Sequence, residues 1–139
     1  MPVFLDTSFI LALKNKNDKN NKQAQQWMKR FLKNEFGKIF TSTFVFDELV
    51  TLIMVRLNNL KFAKNIGDYI LNSPRINLLT LSRDDFSETW KYFQKYGVNG
   101  LSFTDCAILI QCKAMRCKML ATFDRHFIGL IGTNIENEN

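Results

Sequence analysis

Val3-Phe4-Leu5-Asp6-Thr7-Ser8-Phe9-Ile10 is the stretch that decides the fold of this 139-residue chain. Three apolar residues, too few for a helix and β-prone, stop abruptly at a carboxylate. Two small hydroxyl residues then lead into a second apolar run from Phe9 to Leu13. The pattern predicts a strand buried on both faces over 3–5, a turn at Asp6-Thr7-Ser8 and a helix from Phe9 onward. Ligands of open α/β sheets bind outside the carboxyl ends of the strands. Asp6 is therefore a candidate for chemistry, and three further carboxylates read as similarly placed.

Outward from this run the chain alternates between the two periods. Lys14 to Lys22 is a polar, basic loop in which Asp18 or Asn20 is positioned to cap the next helix. Ala24, Trp27, Met28, Phe31 and Leu32 recur at helical spacing, opposite Lys22, Lys29, Arg30 and Lys33. Gly37 breaks that helix, and Ile39-Phe40-Thr41 reads as a second strand. Helices are predicted over 43–57 and 60–71, with Asn58-Asn59 between them, and a third strand over 76–81. Ser82-Arg-Asp-Asp85 has capping-box form ahead of a helix whose apolar positions include Phe86, Trp90 and Phe93. Ser102-Phe-Thr-Asp105 opens a helix that is apolar nearly all round, so that helix is expected to be central. Met119-Leu120-Ala121 is a fourth strand, and the Gly-interrupted tail leaves room for an edge strand around 128–135 before a frayed end at 136–139. Strands alternating with helices imply a parallel sheet of four or five strands covered on both faces, a three-layer α/β/α fold. The length and the absence of linkers or repeats imply one domain over 1–139.

Composition narrows the function classes. A net charge of +6 and a pI near 9.3 suit a polyanionic partner. The first apolar run is interrupted by Asp6 and preceded by no basic residue, which fits neither a signal peptide nor a membrane span. Three cysteines without Cys-x-x-Cys spacing argue against a disulfide framework or zinc site and for a reducing cytoplasm, with Cys106 and Cys112 as small core residues. His126 is the sole histidine and reads as a surface or supporting residue, so a metal here is expected to be held by oxygen. Trp27 and Trp90 sit on apolar faces and are expected in the core.

Four carboxylates stand out. Asp6, Asp105 and Asp124 all fall at predicted helix starts, where capping alone would explain an aspartate. Context separates them from ordinary caps: Asp6 and Asp124 follow buried strands, and Asp105 opens a buried helix. Glu48 has no capping role, lying three or four residues from Phe44, Val45 and Leu52 within an apolar stripe. A lone carboxylate buried there is costly unless paired, protonated or bound to metal. Two carboxylates about 4 Å apart repel by roughly 4 kcal/mol at an effective dielectric near 20. Such repulsion is large against a total stability of about 5–15 kcal/mol, and a divalent cation removes it. Oxygen ligation suits Mg²⁺ or Mn²⁺, which activates water and steadies a phosphodiester under in-line attack. Basic residues elsewhere would hold the nucleic-acid backbone. Lys14, Lys16, Lys19 and Lys22 are candidates for that contact.

At Val3-Phe-Leu-Asp6-Thr-Ser8, Ser42-Thr-Phe-Val-Phe-Asp-Glu48-Leu, Leu101-Ser-Phe-Thr-Asp105-Cys-Ala and Leu120-Ala-Thr-Phe-Asp124-Arg-His-Phe127 the chain resembles the PIN-domain family, specifically its VapC-type toxin ribonucleases. Each motif is short; their order and spacing across nearly the whole chain are far more specific. The resemblance implies Asp6, Glu48, Asp105 and Asp124 as catalytic metal ligands. Thr7 or Ser8 matches the family's small hydroxyl, and Thr104 and Thr122 resemble positions that orient the site. Asp47 neighbours Thr43 and Thr51 on a more polar face, so Glu48 is preferred to it. The implied activity is Mg²⁺- or Mn²⁺-dependent endoribonuclease action leaving a 3′-hydroxyl and a 5′-phosphate. An antitoxin protein that occludes the site and a homodimer are implied with it.

Two other classes compete. Among other α/β proteins, a haloacid-dehalogenase-type phosphatase needs Asp-x-Asp where the chain has Asp6-Thr-Ser8. A flavodoxin-like module needs a Gly-rich phosphate loop, and a receiver domain needs a lysine at a late strand end. The remaining rival is a non-catalytic PIN-like module binding RNA or protein. Four retained carboxylates count against it.

Overall fold

A computed structural model describes residues 1–127 and 133–134. Strands β1 (Val3–Leu5), β2 (Ile39–Ser42), β3 (Ile76–Leu79), β4 (Met119–Ala121) and β5 (Thr133–Asn134) form one sheet in the order β3-β2-β1-β4-β5, with every neighbouring pair parallel. Helices α1 (Thr7–Lys14) and α2 (Asn21–Leu32) connect β1 to β2. Helices α3 (Thr43–Leu57) and α4 (Leu60–Asn72) connect β2 to β3, and α5 (Arg83–Tyr96) and α6 (Phe103–Ala114) connect β3 to β4. This is the three-layer α/β/α architecture expected from the alternation of periods. From β1 the chain winds outward through β2 to β3 and then returns to the other side of β1 as β4. The order reverses between β1 and β4, and the crevice at such a reversal is where doubly wound sheets place ligands.

Burial follows from this layering. Every residue of β1, β2 and β4 is buried, whereas β3, with β2 as its one neighbour, is only partly covered. In β2 the hydroxyl of Thr41 donates to the carbonyl of Leu5 at 2.8 Å, which makes a polar residue tolerable at full burial. The aromatic core centres on Phe31, whose ring lies 5.8 Å from Phe9, 5.8 Å from Trp27 and 5.4 Å from Phe36. Phe31 is fully buried, so Phe31→Ala is expected to cost about 3–5 kcal/mol. Urea unfolding checks this as a lowered midpoint with an unchanged slope.

The structure differs from the sequence reading at several points. Helix α1 starts at Thr7 without an intervening turn, because Asp6 already has extended backbone and serves as the residue before the first turn. Strand β3 ends at Leu79, short of 81: it pairs there with Ser42, after which β2 gives way to α3 and offers nothing further to pair with. Trp27 is buried as expected, but Trp90 is half exposed, as is Phe86. Helix α5 turns that side outward, with Phe93 stacked 6.0 Å from Trp90. Cys106 and Cys112 are buried, and no disulfide joins the cysteines. Strand β5 falls within the tail segment read as an edge strand; the frayed end expected at 136–139 lies outside the described residues.

Candidate active site

The end of β1 is stitched to the end of β4 by hydroxyl groups. Thr122 Oγ1 donates to Asp6 Oδ2 at 2.6 Å, and Ser8 Oγ donates to the same oxygen at 3.1 Å. The backbone N–H of Phe123 donates to Ser8 Oγ, and that of Asp124 to Thr122 Oγ1, both at 2.9 Å. Asp6 stands where a helix cap would, yet its side chain caps nothing and is held sideways across the sheet. Its carboxyl is buried, and desolvation lifts it from an ordinary 3.8 to about 7. The bond from Thr122 opposes that rise, and the charge of Asp105 adds to it.

Asp105 meets Asp6 from the first turn of α6. It completes a capping box: Asp105 N–H donates to Ser102 Oγ at 3.0 Å, and Ser102 N–H donates to Asp105 Oδ2 at 2.9 Å. The bland explanation of this aspartate is therefore physically realised, but it engages only one carboxylate oxygen. Burial pushes the Asp105 carboxyl up, the Ser102 backbone bond pulls it down and the neighbouring Asp124 raises it again. At Ser82, by contrast, the cap is one-sided among the described residues, with Asp85 N–H donating to Ser82 Oγ at 3.1 Å.

Glu48 projects from the second turn of α3 into the same cavity, while Asp47 beside it is exposed. Burial raises the Glu48 carboxyl, and the charges of Asp105 and Asp124 raise it further. The hydroxyl of Thr7 is buried without a hydrogen-bond partner of normal geometry, and its proximity favours the ionised form of Glu48. Asp124 follows β4; its Oδ1 accepts from the backbone N–H of His126 at 2.9 Å and lies 2.9 Å from His126 Nδ1.

Asp6, Glu48, Asp105 and Asp124 thus line one cavity of about 500 Å³ at the carboxyl end of the sheet. Thr7 and Ser8 line it too, Thr122 lies buried behind Asp6, and Thr104 is not among the lining side chains. The loop expected over 14–22 is shorter, because Lys14 ends α1 and Asn21 and Lys22 open α2; Asp18 and Asn20 from it reach this cavity, and Lys14, Lys16, Lys19 and Lys22 do not line it. Lys14 lies over the ring of Tyr69, 3.9 Å from its centroid. The sequence reading missed two participants. Arg56 lines the cavity as the one strong cation among the described residues, and its signal was spacing: Glu48, Leu52 and Arg56 recur every four residues along one stripe of α3. His126 is more central than expected, since a ring nitrogen and one oxygen each from Asp105 and Asp124 lie within 4.8 Å of one another. A nitrogen thus stands beside the carboxylate oxygens expected to hold a metal. Gly100, with φ +90°, fits against that imidazole; a Cβ there would sit 3.4 Å from His126 Nε2.

Opposed carboxylates with raised proton affinity, an aspartate oxygen left free by its own cap and a neighbouring imidazole fit a hard divalent cation. The fold and its site agree with the family comparison: residues 3–130 match the PIN domain, and the chain belongs to that family. Solved structures share this fold. VapC20 of Mycobacterium tuberculosis, a toxin that cleaves the sarcin-ricin loop, superposes with a TM-score of 0.79 at 21% identity over 92% of this chain and 94% of that one. VapBC2 of Rickettsia felis, solved on a DNA fragment from its promoter, gives 0.69 at 18% identity over 96% and 98%. FitAcB of Neisseria gonorrhoeae gives 0.64 at 18% identity, over 94% of each chain. No curated protein matches the chain by sequence.

Proposed function

We propose that this PIN-domain protein is a Mg²⁺- or Mn²⁺-dependent endoribonuclease and the toxin of a toxin–antitoxin pair. The observation that carries the proposal is the convergence of Asp6, Glu48, Asp105 and Asp124 on one cavity at the sheet's reversal point. Asp6, Asp105 and Asp124 are assigned as ligands of the cation, with Glu48 binding it directly or through water. A cation held there supplies an activated water and neutralises the phosphate under attack. Thr122 and Ser8 keep the Asp6 carboxylate aimed across the strand ends, and Arg56 at the cavity's edge is placed to hold a phosphate of the substrate. Lys16 and Lys19, on the loop whose Asp18 and Asn20 enter the cavity, and Lys22 in the first turn of α2 are exposed and are assigned to more distant phosphates.

The partner proposal has its own support. Between α3 and α4 runs an apolar groove of about 470 Å³ that includes Val50, Met54, Val55, Leu60 and Leu71. Val55, Leu60 and Leu71 are each more than half exposed, an unusual apolar patch for a surface. VapBC2 and FitAcB are toxin–antitoxin assemblies, and an antitoxin segment is the occupant we assign here. The half-exposed Phe86 and Trp90 of α5 are assigned to a homodimer contact. No helix is long and apolar enough to cross a membrane among the described residues, in keeping with a cytoplasmic enzyme.

Metal binding tests the assignment directly. At saturating Mn²⁺, about 100-fold above the dissociation constant, thermal unfolding at pH 8 is expected to rise by roughly 8 °C, from about 2.7 kcal/mol of linkage. Asp6 must lose a proton to bind the cation, and its carboxyl titrates at about 7. The shift is therefore expected to shrink steeply as pH falls from 8 to 6. An equal shift at both pH values, or none at pH 8, would remove Asp6 from the ligand set.

A further inference from the structure

A second cleft runs beside the later half of α6, on the far side from the carboxylates. It encloses about 760 Å³, and Lys91, Lys95, Lys113, Arg116 and Lys118 contribute to its walls. Its one acidic lining residue, Glu88, lies 3.8 Å from Lys91; the other four cations have no acidic partner among the described residues. Between them Tyr92 and Tyr96 pack with ring centroids 4.5 Å apart, and Leu109 and Cys112 contribute apolar lining.

Helix ends explain only part of this charge. Lys95 and Lys113 lie in the last turns of α5 and α6, where a cation offsets the helix dipole. Lys91 lies a turn earlier, and Arg116 and Lys118 lie beyond α6. Arg116 is the more telling residue. The chain leaves α6 through a Schellman end, with Cys117 N–H donating to Cys112 O at 2.9 Å and Arg116 N–H to Lys113 O at 3.2 Å. That places Arg116 at φ +56°, the left-handed position where glycine is favoured and a side chain is strained. The guanidinium is carried at the cleft despite the backbone, not because of it.

A groove with four cations that lack acidic partners among the described residues, with Tyr92 beside them and an apolar floor, matches single-stranded nucleic acid, phosphates on the charges and a base on the ring. An acidic peptide would satisfy the cations and leave the tyrosine faces unmatched. We propose that this cleft holds a single-stranded stretch of RNA remote from the acidic cavity. The identity of the nucleic acid rests on the ribonuclease reading. Helix α6 links the two sites, carrying Asp105 in its first turn and Lys113 in its last, about 12 Å further along.

The test is fluorescence anisotropy of a labelled oligouridylate of about 12 nucleotides on the full chain, in chelator so that nothing is cleaved. Arg116→Gly relieves the left-handed backbone, so the double variant Lys113→Gln/Arg116→Gly is expected to fold. It should bind at least about tenfold more weakly, with a log–log salt slope shallower by about 1.4 for two lost phosphate contacts. Tyr92→Leu should lose about tenfold with the slope unchanged, because it removes a stacking face and no charge. Wild-type affinity and slope in the double variant would overturn the proposal. Polyglutamate binding as tightly as RNA, and equally sensitive to the double variant, would overturn it in favour of an acidic polypeptide. Metal-dependent cleavage of a dinucleotide, too short to reach the cleft, reads the ribonuclease assignment separately. Its absence in wild type would fail that assignment and leave the binding result to stand or fall alone.

Discussion

Asp6→Asn is expected to cut metal-dependent RNA cleavage at least about 100-fold, since even residues behind a metal ligand commonly cost 10–100-fold. The same substitution should stabilise the metal-free protein at pH 8 by on the order of 2 kcal/mol. The sign follows from burial. The carboxyl of Asp6 rises from 3.8 to about 7 in the folded chain, so the folded state holds a proton that the unfolded state releases. Its contribution to stability is fully present below about pH 4 and is lost as pH rises to about 7, at up to about 1.4 kcal/mol per pH unit. An amide carries no charge at any of these pH values. Its oxygen can also accept from both Thr122 and Ser8, whose hydroxyls already converge on the single atom Oδ2. Denaturant unfolding of both proteins at pH 5 and pH 8 checks this: the variant's gain in stability relative to wild type should be clearly larger at the higher value. A variant less stable at pH 8 than wild type would mean that Asp6 is an ordinary structural carboxylate.

The second large effect separates the two duties of Asp105. Ser102→Ala removes the hydroxyl that accepts from Asp105 N–H and should cost about 1 kcal/mol of stability, the usual worth of a helix cap, while cleavage stays within a few-fold of wild type. Asp105→Asn keeps an oxygen that can accept from Ser102 N–H, so the box survives; cleavage should nevertheless fall at least about 100-fold. Unfolding curves and cleavage rates on both variants check the split. Equal loss of activity in the two would mean that Asp105 acts through the helix terminus alone.

Much of this site was legible in the sequence, for identifiable reasons. Val3 to Leu5 is too short for a helix and wholly apolar, so the strand and the carboxylate at its end declare themselves. Glu48 was visible because a charge inside an apolar stripe violates the helical pattern around it. Other features depend on contacts between distant segments, which periodicity does not encode. The Thr122 hydroxyl reaches Asp6 across 116 positions, and no local pattern announces that bond. His126 looked peripheral because its role comes from a turn that folds its ring back onto Asp124, two residues away. Trp90 was misplaced because an apolar helical face says that something covers it, not that the same chain does. Arg116 likewise looks like one more surface charge until its backbone is seen in a conformation suited to glycine.

Cleavage of RNA by the four-carboxylate cavity with a divalent cation can be tested outright. Its most direct test is incubation of the purified protein, freed of any partner, with a labelled pool of cellular RNA. Parallel reactions would contain Mg²⁺, Mn²⁺ or chelator, alongside the Asp105→Asn variant in Mn²⁺. Discrete cuts leaving 5′-phosphates, present with either metal and lost with chelator and with the variant, are the predicted result. Intact RNA under every condition, or cutting that persists in chelator and in Asp105→Asn, would contradict it.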